Sequence, residues 1–253
     1  MLKSMHFGLV LLFCSAACSG WAQLTESTTT VAPGRFLIEM DALSLTLNKV
    51  GKDKFEALGV ATTFLTTGLT SNWDVQVGAQ LYLEQQFNTG GLAEHAAGLG
   101  DIYVRTKWRF FEDKTTGTEV ALMPFVKAPT NTGGVGNKSM EGGLIVPWKT
   151  DLVGGFSLTA MGEVEFLRNA NNNGYDSFWS TAVALQRDIT ETIGLYGEAT
   201  LGKSTGGEPW EGVIGGGITL AVSDRIWWDY GIYRGISGGA DDWQHVLRLN
   251  WGF

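Results

Sequence analysis

The chain has almost no cysteine: of 253 residues only Cys14 and Cys18 carry a thiol, and both lie within the first 22. With those residues set aside, disulfide scaffolds and thiol chemistry are excluded together. Charge is also thin. Asp, Glu, Lys and Arg make up 17% of the chain, below the roughly 25% usual for soluble domains. Basic residues are in the minority: loss of Lys3 with the N-terminal stretch leaves 17 Lys and Arg against 26 Asp and Glu, a net charge of −9. That sign excludes nucleic acid as a partner. Nowhere after the N-terminus is there a run of about 18 uncharged apolar residues, so helical membrane spans are excluded too.

What the chain does have is 35 Gly, 10 Trp and 44% apolar residues, too much for a disordered polymer. Lys3 precedes a short apolar stretch, Phe7 to Cys18, and Gly20 and Ala22 occupy the small-residue positions of a cleavage site. Residues 1–22 therefore read as a secretory signal peptide with the mature chain starting at Gln23. A lipoprotein signal ending at Cys18 is the alternative, but Ser15 stands where an aliphatic residue is wanted. Residues 23–34 read as a short periplasmic N-terminal segment.

From Arg35 to the end one unit recurs: ten to fourteen residues alternating in polarity, then a turn rich in Gly, Asn, Asp, Ser and Thr. The period is two, not 3.6. Trp73, Val75, Val77, Ala79, Leu81 and Leu83 share one face, with Asp74, Gln76, Gln80 and Glu84 on the other. The pattern predicts twelve strands, near 35–47, 54–68, 73–86, 100–111, 118–129, 140–149, 154–168, 176–187, 193–202, 209–222, 225–236 and 242–253, with a bulge at Ala42–Leu43. Pro124, Pro129 and Pro147 fall inside two of them, where a missing N–H is awkward.

Short links alternate with longer ones. An even count of antiparallel strands with that alternation, behind a signal peptide, predicts an all-β antiparallel transmembrane barrel over 35–253, with short periplasmic turns and longer extracellular loops. Closure is what lipid demands, because only a closed sheet leaves no unpaired edge. The alternative is a soluble exported β-sandwich. The end of the chain speaks against it: Leu247, Leu249, Trp251 and Phe253 alternate with polar or small residues and Phe253 comes last. A sandwich strand has no need of that ending, whereas Leu249, Trp251 and Phe253 fit a signal read by the β-barrel assembly machinery. The expected partners are outer-membrane lipid, that machinery and a small-molecule solute, in the outer membrane of a Gram-negative bacterium.

In such a barrel Asp74, Asp101, Arg105, Lys107, Arg109, Glu119, Glu163, Glu165, Glu198 and Arg248 fall on the lumen-facing parity. Twelve strands spaced about 4.8 Å and tilted about 40° give a backbone radius of roughly 12 Å. Inward glycines, among them Gly78, Gly143, Gly194, Gly215 and Gly217, are expected to keep space open. Asp74 and Glu119 are expected to flank Arg109, leaving Arg105 and Lys107 hydrated. Two readings stand: mutual neutralisation of these charges, or a porin-like eyelet in which an Arg and Lys row opposes Glu163, Glu165 and Glu198.

Two stretches add to this. Gly98-Leu99-Gly100-Asp101, Lys107-Trp108, Pro124-Phe125-Val126-Lys127-Ala128-Pro129-Thr130 and Glu141-Gly142-Gly143 form one set; Asp229 to Ile236 and Ala240-Asp241-Asp242-Trp243 form the other. Together they resemble a family of outer-membrane proteins associated with phenol meta-cleavage pathways and commonly labelled transporters. The resemblance implies an outer-membrane channel, with aromatic or hydrophobic compounds as the implied solutes.

An enzyme is not expected. The mature chain has His95, placed in a loop, and His245, whose parity with Trp243 and Leu247 points it to lipid, so an outer-membrane hydrolase lacks a well-placed base. Gly133 to Ser139 resembles a phosphate loop, but Asn137 stands where Gly should precede Lys138. Glu94, Asp241 and Asp242 are isolated loop acids rather than a Ca²⁺ site. No cofactor or metal is expected. The competing function is a structural or adhesion barrel that acts through its outer loops and conducts nothing.

Overall fold

The structure, a computed structural model, describes residues 24–169 and 171–253; the signal peptide expected over 1–22 lies outside them. The described residues form strands β1 (Phe36–Val50), β2 (Asp53–Thr70), β3 (Trp73–Thr89), β4 (Leu92–Gly98), β5 (Ile102–Asp113), β6 (Thr118–Ala128) and β7 (Glu141–Asp151). These are followed by β8 (Phe156–Arg168), β9 (Tyr175–Asp188), β10 (Ile193–Ser204), β11 (Glu211–Ser223), β12 (Ile226–Gly235) and β13 (Trp243–Gly252). Neighbours pair antiparallel in chain order, and β1 closes on β13. Twelve strands make the closed wall, and β4 is additional.

β4 corrects the expectation of a loop over 87–99. The lower part of β3, Trp73 to Ala79, pairs with β5, while the upper part, Leu83 to Thr89, pairs with β4. Gly90 and Gly91, at φ 61° and 87°, make the tight connection that only left-handed residues close readily. His95 consequently sits on a strand, with its Nε2 3.1 Å from Glu84 Oε1.

Alternation decides what each strand shows to which side. Leu65, Val77, Leu81, Val104, Trp108, Phe110, Trp179, Leu195, Ile218, Ile232 and Leu247 lie exposed on the outer surface, an apolar band with no protein to cover it. β1, β2 and β3 are 15, 18 and 17 residues long, more than the 9–11 or so a tilted strand needs to cross a bilayer, so this side of the barrel rises above the rest.

The ladder is interrupted at Ala42 and again beside two prolines. Between Asp41↔Arg248 and Leu43↔Leu247 the register slips by one, so Ala42 bulges. Across the β1–β2 pair it meets Ala61, whose φ is 55°. Pro124 has no N–H to offer, and β5–β6 pairing passes from Arg105↔Phe125 directly to Trp108↔Leu122. β6–β7 pairing likewise skips from Val120↔Trp148 to Met123↔Ile145 around Pro147. Pro129 lies just beyond β6 and disturbs nothing.

The largest departure concerns residues 24–34. Rather than projecting from the short-turn end, this segment enters there and runs up inside the barrel. Thr25 and Thr28 are 0% exposed and Glu26 2%. Near the rim Pro33 bridges Gly68 before β1 begins.

Candidate functional site

An extended chain in a lumen has no sheet partner, so its polar groups must be met by side chains from the wall. The wall supplies them from both sides. Near the short-turn end Thr30 Oγ1 donates to Ser71 O at 3.1 Å and Val31 N to Asp74 Oδ2 at 3.0 Å. Lys107 Nζ donates to Thr29 O at 3.3 Å, and Thr28 Oγ1 to Glu119 Oε2 at 2.7 Å. Higher up, Glu26 pairs with Arg105, Nη1 to Oε1 at 2.8 Å, and its amide meets Met161 Sδ at 3.3 Å. At the top Leu24 N reaches both oxygens of Glu198 at 2.9 Å, while Thr25 donates its N and Oγ1 to Glu198 Oε2 at 3.0 and 2.9 Å.

Of the ten side chains expected in the lumen, five, Asp74, Arg105, Lys107, Glu119 and Glu198, contact this segment. Their pairing differs from expectation. Asp74 lies opposite Lys107 across the β3–β5 ladder rather than beside Arg109. Arg109 instead takes Glu119 at 3.3 Å and Glu112 at 3.4 Å. Arg105 is not hydrated: it is 5% exposed, donates its Nε to Gln76 Oε1 at 2.5 Å and stacks over Phe64 at 4.2 Å. Gln76 in turn donates to Glu39 and Thr66, so the guanidinium sits in a closed network.

The remaining members lie elsewhere on the inner wall. Asp101 receives Asn131 N at 3.0 Å and faces Lys127 at 3.6 Å; Lys127 also pairs with Glu141, and this pins the β6–β7 loop. Arg248 Nε donates to Asp41 Oδ1 at 2.5 Å. Glu163 accepts Ser180 Oγ at 3.2 Å, and Glu165 is buried on the same face. Leu249 and Trp251 face outward, and Phe253 ends the seam.

The glycines do not hold space open. A methyl group placed on Gly78 would stand 2.1 Å from the Phe64 ring, and on Gly217 2.4 Å from the Tyr196 hydroxyl. The rings lie over the glycines and occupy the room. The inner wall thus carries apolar clusters that parity arguments about charge overlooked: Met123, Phe125, Ile145, Met161 and Ala182 in one, and Tyr196, Val213, Tyr233, Ala240 and Val246 with Leu24 in another. Their parity was readable, since Met123 and Phe125 share it with Lys127. Beside Leu24 lies a cavity of about 50 Å³, lined in part by Met161, Glu163, Phe178, Glu211 and Val213.

Neither of the two described histidines contacts the inserted segment. His95 stands on the protruding β4, and His245 lies on the outer face with its Nδ1 3.0 Å from Tyr230 OH. Among the described residues no three His, Cys, Asp or Glu side chains form a group able to hold a metal.

The family described as "Putative MetA-pathway of phenol degradation" matches residues 22–253. No curated protein matches the chain in sequence. Among solved structures, an outer membrane channel from Pseudomonas putida F1 superposes with a TM-score of 0.71 at 8% identity, covering 90% of this chain and 98% of the other. The NanC porin gives 0.51 at 11% identity over 84% and 99% of the two chains. The CymD monoaromatic hydrocarbon channel gives 0.51 at 8% identity over 88% of each. At these identities the likeness is one of fold, that of an outer-membrane β-barrel.

Proposed function

The chain belongs to that phenol-degradation family, and on this premise we propose that it is an outer-membrane passage for small, largely apolar solutes, closed in this state by its own residues 24–34. The observation that carries the reading is the composition of the inner wall. Asp74, Arg105, Lys107, Glu119 and Glu198 are spent on holding the segment, most of the other lumen charges pair within the wall, and the surface beside the segment includes the apolar side chains of Met123, Phe125, Ile145, Met161, Phe178 and Val213. A hydrophilic pore has no use for such a lining, whereas an aromatic or aliphatic solute gains about 25 cal/mol for each Å² it buries there. CymD, a monoaromatic hydrocarbon channel of the same fold, supports the solute class.

The chemistry asked of the protein is binding and release, not bond making. The segment is held by five wall side chains, so its displacement is a two-state event in which those contacts are exchanged for water or solute. Deleting Leu24 to Val31 and comparing the variant with the full mature chain in planar bilayers, with ions and a panel of small aromatics, tests this. The expected result is low conductance in the full chain and a large rise in the deletion. If neither form conducts or transports any of the panel, the barrel is a structural or adhesion element instead.

A further inference from the structure

Among the described residues, the outward positions of β8 to β13 hold no Asp or Glu, and near the long-loop end they hold three cations. Arg168 is the last residue of β8, and Lys203 and Arg234 are the last but one of β10 and β12. The three strands run the same way, so these side chains stand at one level, on alternate strands about 10 Å apart around the wall. Two residues below them the apolar band begins, at Phe166, Leu201 and Ile232, all exposed. At the short-turn end the outward positions of the same strands carry one cation, Arg187.

Each of the three cations has an aromatic ring opposite it across the ladder. Arg168 pairs in register with Tyr175, Lys203 with Trp179 and Arg234 with Trp243. The Arg168 guanidinium lies over the Tyr175 ring and that of Arg234 over the Trp243 ring, both at 5.3 Å. The remaining contacts are with neutral oxygens: Arg168 donates to the side-chain and main-chain oxygens of Asn172, and Lys203 Nζ to the Glu208 main-chain carbonyl. Among the described residues none of the three forms an ion pair. Lys127, at the same place on β6, shows the other solution: it is buried and neutralised by Asp101 and Glu141.

A cation at the edge of an apolar band stands at the level of lipid headgroups, where phosphate is the anion to be met. Long loops mark the extracellular side of such barrels, so the leaflet concerned is the outer one. A headgroup with a single phosphate meets one of these cations, whereas one with two phosphates bridges neighbours. Flat rings beside the cations suit the apolar faces of sugar rings.

We propose that Arg168, Lys203 and Arg234, with Tyr175, Trp179 and Trp243, form a site on the outer wall for a glycolipid whose sugar headgroup carries two phosphates. The guanidinium and ammonium groups bind the phosphates, the rings pack against the sugars, and the acyl chains lie along the apolar band beneath. The site is independent of the lumen and stands whether or not the barrel passes a solute.

The test uses the protein as purified from outer membranes, in detergent micelles, with three probes: an acylated glucosamine disaccharide bearing two phosphates, the same lipid with both phosphates removed, and phosphatidylglycerol. Bound lipid is read by native mass spectrometry and by detergent melting. The first probe alone is expected to be retained and to raise the melting point by about 3 °C. Its hold should weaken as salt is raised from about 0.1 M to about 1 M. Arg168→Gln/Lys203→Gln/Arg234→Gln should weaken binding by about tenfold or more, whereas Arg187→Gln at the opposite end leaves it unchanged. Comparison of the three probes on the unaltered protein needs no variant to fold. Equal retention of the dephosphorylated lipid or of phosphatidylglycerol, or a triple variant that binds like the parent, overturns the proposal.

Discussion

Phe36 and Phe253 exchange two backbone hydrogen bonds, at 2.8 and 2.9 Å, and stack their rings 5.5 Å apart. The first residue of β1 and the last residue of the chain therefore close the barrel at its short-turn rim, where the inserted segment also turns into the wall. An aromatic terminus has a structural task here as well as its expected part in assembly: without it the seam opens at the point where β1 begins.

Replacing Phe253 by Asp should reduce the folded fraction sharply. Two hydrogen bonds worth about 1 kcal/mol each and a stacked pair worth about 1 kcal/mol are put at risk. The measurement is the ratio of heat-modified to unmodified bands in outer-membrane fractions. Phe253→Tyr, which keeps the ring, is expected to stay near the parent value.

Arg105→Gln leaves Glu26 buried without its ion partner, which costs about 3 kcal/mol in a buried pair. The expected outcome is a lower melting point in detergent together with higher conductance, because the lost contact holds the segment rather than the wall. Adding Glu26→Gln should recover more than half of the loss, since neither charge is then stranded. A double variant no more stable than Arg105→Gln alone would show that Arg105 acts through Gln76 and Phe64 instead.

Arg109→Gln should cost much less, about 1 kcal/mol. Its partners Glu119 and Glu112 are partly exposed, and Glu119 keeps the Thr28 hydroxyl. Detergent melting of the two arginine variants side by side checks the order.

With Leu24 to Val31 removed, Arg105 and Lys107 lose two of the groups they face, the Glu26 carboxylate and the Thr29 carbonyl. They should then bias the opened pore toward anions. Reversal potentials in a salt gradient are expected to move toward cations when both are changed to Gln in the deletion background, and an unmoved potential would remove them from the conducting path.

Burial pushes Asp241, in the outer loop between β12 and β13, up to about 6 from its ordinary 3.8. A carboxyl with a raised folded value favours the folded loop below the unfolded value and loses that contribution as pH climbs through the folded one. Protection factors over residues 236–242, taken relative to the intrinsic exchange rate at each pH, should therefore be higher at pH 4 than at pH 7.5, and Asp241→Asn should remove most of that difference.

Much of this architecture was legible because the barrel wall is a local pattern. Alternation from Trp73 to Glu84 fixed which side chains turn inward, and the slip at Ala42 showed as a break in that alternation. The protruding β4 was missed because Asn88-Thr89-Gly90-Gly91 reads equally as the opening of a loop; only pairing with the upper half of β3 makes Leu92 to Gly98 a strand. The inserted segment was missed for a different reason. Leu24 to Val31 is mostly Thr and Ser with no period of its own, and hydroxyls suit water as well as a lined interior. Its destination depends on a lumen that exists only after β13 has met β1.

The placement of aromatic rings over glycines, Phe64 on Gly78 and Tyr196 on Gly217, separates the bore of the barrel from its circumference. Strand number sets the hoop, but the free diameter depends on whether each ring lies flat against the wall or is levered off it. A change as small as Gly78→Ala would tip Phe64 away from Arg105 and narrow the passage without altering a single strand. The calibre of this wall can therefore be reset one residue at a time.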